Sequence, residues 1–120
     1  MSGDDLARVR RICLELPEAA EQVAWGEPTF RVRKKIFAMY ASANTHHGGG
    51  HDALWVKAPL GMQEHLVSVD PLRYFVPPYV GVKGWVGIDL ALATDEEIRE
   101  HALQSYAMVA PKKLVALLGA

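Results

Sequence analysis

Three histidines, His46, His47 and His51, bracket the glycine run Gly48 to Gly50. Imidazole nitrogens are common ligands of zinc, nickel and copper, so this spacing invites a metal site. The three rings can converge only if the glycines fold the segment back on itself, and ordering so loose a segment costs conformational entropy. The neighbouring carboxylate is Asp52, and no cysteine stands beside it. The competing account is a solvated hairpin tip that happens to carry histidines. Composition favours that account. His46, His47 and His51 are therefore expected to give at most weak, adventitious metal binding, and no cofactor is expected.

The densest cationic cluster is Arg31, Arg33, Lys34 and Lys35. On a hairpin these residues make a positively charged wing, and such ribbons enter DNA grooves or grip phosphates. Lys57 and Lys83 are candidate helpers, and Lys112 and Lys113 can extend the patch. The alternative is a charged strand edge that blocks edge-to-edge pairing. The formal net charge is −1, whereas domains held to nucleic acid by bulk charge are usually basic. Any nucleic-acid contact must come from a local patch.

Trp25, Trp55 and Trp85, with Phe75 and Tyr79, can stack on bases or line a pocket. Trp55, Phe75, Tyr79 and Trp85 are the candidates to border a small-ligand or protein-interaction groove. The ordinary role of such rings is core, because each buries about 150–250 Å², and most are expected there. Trp55 is the least settled, since Leu54 and Val56 point to the other face of their strand.

Nucleophilic chemistry finds little to work with. Cys13 lies on the apolar stripe of a helix and is expected to be an inert buried thiol. Ser105 has no base and orienting partner in view. The phosphate-cradling glycine loop, the G-x-S-x-G elbow and the H-E-x-x-H motif are missing. Glu15, Glu18 and Glu21 form an acidic run that can attract cations, although most such runs are solvated surface. No catalytic residue is assigned, and a non-enzymatic protein is expected.

The elements that must position these residues follow from periodicity. Leu6, Val9, Ile12, Cys13 and Leu16 recur at helical spacing, so a helix is predicted over 4–16 and stopped by Pro17. Residues 18–27 read as a short connection with a helical turn. Alternation predicts strands over 28–33 and 35–41, joined as a hairpin with Arg33 and Lys34 at the tip. Arg-Lys suits a two-residue turn poorly, because both positions need positive φ, and a longer turn is the open alternative. A polar loop over 42–52 leads to a strand over 53–58 and a helix over 59–67. The run from Asp70 to Ile88 holds three prolines and three glycines among aromatics. It is too broken for a helix and too apolar for a solvated linker, so it reads as an ordered loop that delivers Trp85 into a strand over 84–90. Thr94 and Glu97 form a capping box for a long helix, and Pro111 restarts the chain into a last one. This order predicts an α+β fold, a mainly antiparallel sheet with helices packed on one face.

Length and composition bound the rest. A chain of 120 residues, half of them hydrophobic, is expected to form one domain over 1–120. The single cysteine excludes an intrachain disulfide and fits a reducing compartment. No signal peptide is expected, since no basic stretch leads into an apolar run near Met1. No apolar run approaches the roughly 18 residues of a spanning helix. A soluble cytoplasmic protein, with no membrane partner, is the expectation.

Several blocks together resemble the MmcQ/YjbR family of small bacterial proteins. They are Leu16-Pro17, Trp25-Gly26-x-Pro28-x-Phe30-x-Val32, Lys35-x-Phe37-Ala38, Pro78-Tyr79-Val80-Gly81, Gly84-Trp85-Val86, and Asp95 to Ser105-Tyr106. The resemblance spans roughly Leu6 to Val109 and departs at Arg33-Lys34, where family members often carry glycine. It implies a frataxin-like (CyaY-like) α+β arrangement, also described as a double wing, to which DNA binding is commonly attached. The first expectation is thus a DNA-binding domain using Arg31, Arg33, Lys34 and Lys35 with Lys57 and Lys83. The alternative is a ligand or interaction groove beside Phe75 to Trp85 and Trp55.

Overall fold

The computed structural model describes residues 2–43 and 51–119. In chain order its elements are α1 (Ser2–Leu14), β1 (Ala20–Ala24), β2 (Glu27–Val32), β3 (Lys35–Ala41), β4 (Ala53–Val56), α2 (Met62–Val69), β5 (Tyr74–Phe75), β6 (Val86–Asp89), α3 (Asp95–Val109) and α4 (Lys112–Ala116). The six strands form one sheet in the order β1-β2-β3-β4-β6-β5, and every neighbouring pair is antiparallel. The expected α+β class is what the chain adopts.

The helices gather on one face of this sheet. Val9, Ile12 and Cys13 of α1, Ile98, Ala102 and Tyr106 of α3, and Leu114 of α4 share a buried core with Phe30, Val32, Phe37, Tyr40, Leu54, Val56 and Ile88 of the strands. Met62, Leu66 and Val67 of α2 pack against the same core. The ring of Phe37 meets that of Tyr106 edge-on at 5.4 Å. The Tyr106 hydroxyl donates to the Pro17 carbonyl at 2.6 Å, at the end of the first helical segment.

Two polar devices hold the helices in place. Arg8 of α1 donates to Asp95 at 2.8 Å, to the Leu90 carbonyl at 3.0 Å and to the Ala93 carbonyl at 2.7 Å, which ties α1 to the start of α3. The capping box forms as predicted: the Glu97 N–H donates to Thr94 Oγ1 at 3.1 Å, and the Thr94 N–H donates to the Glu97 carboxylate at 2.8 Å. Arg73 pairs with that same Glu97.

Ser105 explains itself here as a structural residue. Phe30 pairs with Ala38 but Arg31 pairs with Ile36, so Phe37 is an extra residue in β3, a bulge. The bulge lets both Phe37 and Ala38 join the helix-side core. The β3–β4 ladder ends there, at Ala38 opposite Val56. The buried Ser105 hydroxyl then donates to the Phe37 carbonyl at 2.6 Å and accepts from the Lys57 N–H at 2.9 Å. One side chain thus satisfies two backbone groups of adjacent strands.

The structure corrects two expectations and settles one alternative. Residues 20–24 form the edge strand β1, not part of a helical connection. Its side chains are mostly exposed, so the apolar alternation that marks a strand is weak. The hairpin tip is the expected Arg33-Lys34 pair, and of the two turn lengths it takes the shorter, with φ of +50° and +70° and Val32 paired to Lys35. The sheet register imposes the conformation that the residue types resist. The other correction is that the Asp70–Ile88 run contains the short strand β5, which pairs Tyr74 with Ile88.

His101 on α3 sits in a partly dry niche. The Tyr74 hydroxyl lies 2.8 Å from its Nε2, and the two rings meet edge-on. Desolvation holds the imidazole below its ordinary pKa, against the pull of Glu100 and Glu97. Below the unfolded value near 6.5 the unfolded chain therefore takes up a proton that the folded chain resists. Stability contributed by neutral His101 is present above that pH and is lost as pH falls through it. Urea unfolding between about pH 7.5 and pH 5.5 is expected to show stability declining with acid, and His101→Gln to flatten that decline.

Candidate functional site

The face of the sheet away from the helices carries one row of residues across every strand. Register places Gln22, Thr29, Met39, Trp55, Gly87 and Phe75 side by side in that order. Trp55 is buried, and with Ala41, Ala53 and Trp85 it forms a second, smaller apolar cluster that Ile36, Met39, Phe75 and Val80 border. Phe75 lies over Gly87, where a Cβ would overlap its ring. The glycine is what lets the ring come down onto the sheet.

With no α-helix among the described residues on this face, the 76–85 loop, which includes a 3₁₀ turn at Gly81–Lys83, provides cover. Buried Gln63 of α2 anchors it, its Nε2 donating to the Gly81 carbonyl at 2.7 Å and to the Trp85 carbonyl at 2.5 Å. The loop leaves a concavity of about 400 Å³ lined by Trp25, Glu27, Met39, Trp55, Tyr79 and Val80, with Ala24, Tyr40 and Ala41. Trp25 comes from the β1–β2 turn and Tyr79 from the loop opposite in sequence, while Trp55 and Met39 belong to the sheet itself.

The two aromatic residues contributed by the turns are unusual. Trp25 is 69% exposed and Tyr79 is 68% exposed. Both stand on left-handed backbone, at φ of +54° and +64°. Trp25 and Gly26 form a second tight hairpin turn, closing Ala24 onto Glu27. Tyr79 is the centre of a three-residue turn in which the Val80 N–H donates to the Pro78 carbonyl at 2.6 Å. A positive φ at a residue with a Cβ costs on the order of 1–2 kcal/mol, and neither ring recovers that cost by burial.

The predicted groove residues divide accordingly. Trp55 and Tyr79 line the cleft; Phe75 and Trp85 lie in the cluster beside it and do not line it. Trp25, which the sequence leaves between core and pocket, is a wall of the cleft. Its signal in the sequence is the Trp25-Gly26 pair: a glycine after a bulky residue, at a tight turn, puts that residue at the surface.

The cationic candidates collect at the other end of the sheet. Arg33 and Lys34 form the β2–β3 tip, with Arg31 and Lys35 flanking it; Lys57 follows the C-terminal end of β4, and Lys83 precedes the start of β6. Antiparallel order brings all six to one end. Their charge is partly spent. Arg33 makes a two-bond pair with Glu18 at 2.5 and 3.0 Å, which holds that carboxyl below its usual range. Arg31 is half-buried and donates from Nε to Thr29 Oγ1 at 3.1 Å. Lys34, Lys35, Lys57 and Lys83 meet no carboxylate within ion-pair distance among the described residues.

The acidic run is paired off as well. Glu15 approaches Arg99 at 3.9 Å, Glu18 holds Arg33, and Glu21 takes Arg10 at 2.9 Å. No free carboxylate face for a cation remains in it. Of the histidines, His46 and His47 lie outside the described residues. His51 is exposed, and its Nδ1 pairs with buried Asp89, whose other oxygen accepts from the Ala91 N–H at 3.0 Å. Asp52 is committed to the Tyr40 hydroxyl at 2.5 Å and the Ala43 N–H at 2.7 Å. Among the described residues no three ligating side chains gather around a metal position. Cys13 is buried, and desolvation pushes its thiol up to about 12, as expected of an inert cysteine.

The family model for YjbR matches residues 14–108. The chain belongs to the YjbR family. Within this family member the matched span runs from the end of α1 through most of α3, and so contains the whole sheet and both walls of the cleft. The chain is also similar to the crystal structure of Deinococcus radiodurans protein DR2400, which carries the domain DUF419. The TM-score is 0.73 at 22% identity, over 98% of this chain and 88% of that one. That likeness supports the fold. No curated protein matches. No helix among the described residues is long and apolar enough to cross a membrane.

The two tryptophans of the cleft should respond oppositely to truncation. Trp25→Ala is expected to change unfolding free energy by less than about 0.5 kcal/mol, because its ring is in solvent. Trp55→Ala is expected to cost about 3–5 kcal/mol, because it empties a packed site. Urea denaturation of both variants checks this; equal losses would remove the distinction between wall and floor.

Proposed function

We propose that this protein binds a small, carbon-rich ligand in the cleft on the helix-free face of its sheet. The observation that carries this is the pair Trp25 and Tyr79, large rings left in water on costly left-handed backbone at one concavity. Stored strain at exposed aromatics is the mark of a surface kept for contact rather than for stability. The volume of about 400 Å³ is in the range of small-molecule sites. The lining offers rings, a thioether and methyl groups with a single carboxylate, a set suited to binding rather than to bond making. The ring of Trp55 as floor, with Trp25 and Tyr79 as walls, suits a guest that presents carbon to ring faces.

Titration with the uncharged bicyclic 2-naphthol, followed by amide shifts in ¹H–¹⁵N spectra, tests this. Saturable shifts confined to 24–27, 39–41, 55 and 79–80 are expected, with a dissociation constant below about 1 mM. Trp25→Ala and Tyr79→Ala should each weaken binding at least about fivefold, the loss of one stacking partner. Scattered or non-saturating shifts would rule the cleft out as a site.

We propose binding to a nucleic-acid backbone as a second reading, which the gathered cations favour. The fold gathers Arg31, Lys34, Lys35, Lys57 and Lys83 at one end of the sheet, and the four lysines carry unspent charge. Arg33, held by Glu18, is assigned no contact. Mobility shift of duplex DNA at about 50 mM salt is expected to weaken steeply by about 200 mM. Replacing the four lysines by alanine should abolish the shift, while Arg33→Ala leaves it within about twofold, since surface pairs contribute little. Absence of any shift at the lower salt would refute it.

A further inference from the structure

The lysines that meet no carboxylate gather at one end of the sheet, and the cleft lies toward the other. Glu27 opens β2, Asp89 closes β6 and Asp52 immediately precedes β4, all at the end opposite the β2–β3 tip. Arg31, Lys34, Lys35, Lys57 and Lys83 all stand at or near the tip end. Among the described residues lining the cleft, the one formal charge is the Glu27 carboxylate.

Glu27 is firmly placed. It is half-buried, and its Oε2 accepts the Ser42 N–H at 2.7 Å, so its side chain bridges the start of β2 and the end of β3. Parity with Thr29 puts it on the helix-free face. It follows Trp25 by two residues across the tight turn, so one turn presents a ring and a carboxylate to the same concavity. Ring faces carry the negative end of the aromatic quadrupole. Among the described lining residues, the rings of Trp25, Trp55 and Tyr79 and the carboxylate of Glu27 each favour positive charge.

We propose that the ligand of this cleft is an organic cation whose charge is wrapped in carbon, a quaternary or alkylated ammonium group. This rests on the ligand-binding reading of the cleft given above. A bare ammonium loses strong hydration on entering an apolar concavity, and this lining offers it few acceptors. An alkylated ammonium gives up little water, packs its methyl groups on the rings, and keeps its charge for the ring faces and Glu27. An anion would meet the same rings and carboxylate with no basic partner among the described lining residues.

The test compares three probes of one shape: choline, its uncharged carbon isostere 3,3-dimethylbutan-1-ol, and the anion 3,3-dimethylbutanoate. Each is titrated at constant ionic strength against the full chain, with tryptophan fluorescence and calorimetry as readouts. Choline is expected to bind at least about tenfold tighter than the alcohol, and the anion weakest, as cation–π and carboxylate contacts predict. Glu27→Gln keeps an oxygen for the Ser42 N–H and should cut the advantage of choline at least about fivefold, with binding of the alcohol changed less than about twofold. Should that variant not fold, the three probes on the unaltered protein decide the matter by themselves. Equal binding of choline and the alcohol, or preference for the anion, overturns the cation assignment and leaves the cleft as a site for neutral guests. If choline, the alcohol and 2-naphthol all fail to saturate, the cleft itself is overturned as a binding site and the cation assignment falls with it.

Discussion

An antiparallel sheet of six strands has two faces, and this chain supplies helices for one. Everything on the other face follows from that shortage. The residues of the central row alternate with the helix-side core and so include Met39, Trp55 and Phe75. Apolar side chains of that size need cover, because open apolar area costs about 25 cal/mol per Å². The chain covers them with the 76–85 loop, held by Gln63, and with the ring of Phe75 lying on Gly87. A loop is narrower than a helix layer. What it fails to cover is the cleft.

The cleft walls come from turns, and turns are where backbone conformation and side-chain identity come into conflict. Pairing of Ala24 with Glu27 leaves two residues to reverse the chain, and the twist of the strands demands positive φ at both. Gly26 accepts that freely, whereas Trp25 does not. The same demand falls on Arg33 and Lys34 at the next turn. At that turn the ion pair with Glu18 and the full β2–β3 ladder hold the conformation. At Trp25 no comparable interaction of the ring is evident among the described residues, and this asymmetry is what the proposed contact role of the first turn rests on.

Charge is organised by pairing first and by position second. Most arginines are engaged by carboxylates: Arg8 and Arg11 by Asp95, Arg10 by Glu21, Arg33 by Glu18, Arg73 by Glu97. Exposed pairs of this kind contribute little to stability. They do remove charge from the surface available to partners. Lys34, Lys35, Lys57 and Lys83 lie toward one sheet end, so a nearly neutral chain still gathers positive charge locally.

Much of this was legible in the residues themselves. The helical spacing of Val9, Ile12 and Cys13, the Thr94–Glu97 box and the alternation around Phe30 and Val32 are local patterns, and local patterns survive folding. The inertness of Cys13 was readable for the same reason, since an apolar stripe is a core face. The cleft was half legible: aromatics with prolines and glycines announced an ordered loop, and Trp55 stood out by parity. What the tertiary structure alone decided is which rings remain in water. Strand β1 hides in a polar stretch because an edge strand needs few buried residues, and without β1 the Trp25-Gly26 turn has no place. The fate of Arg33 likewise waits on β1 pairing, which carries Glu18 alongside it. Spacing along a chain determines which face of an element a residue occupies; only the packing of elements determines whether that face is covered, paired or open, because cover comes from residues far away in sequence.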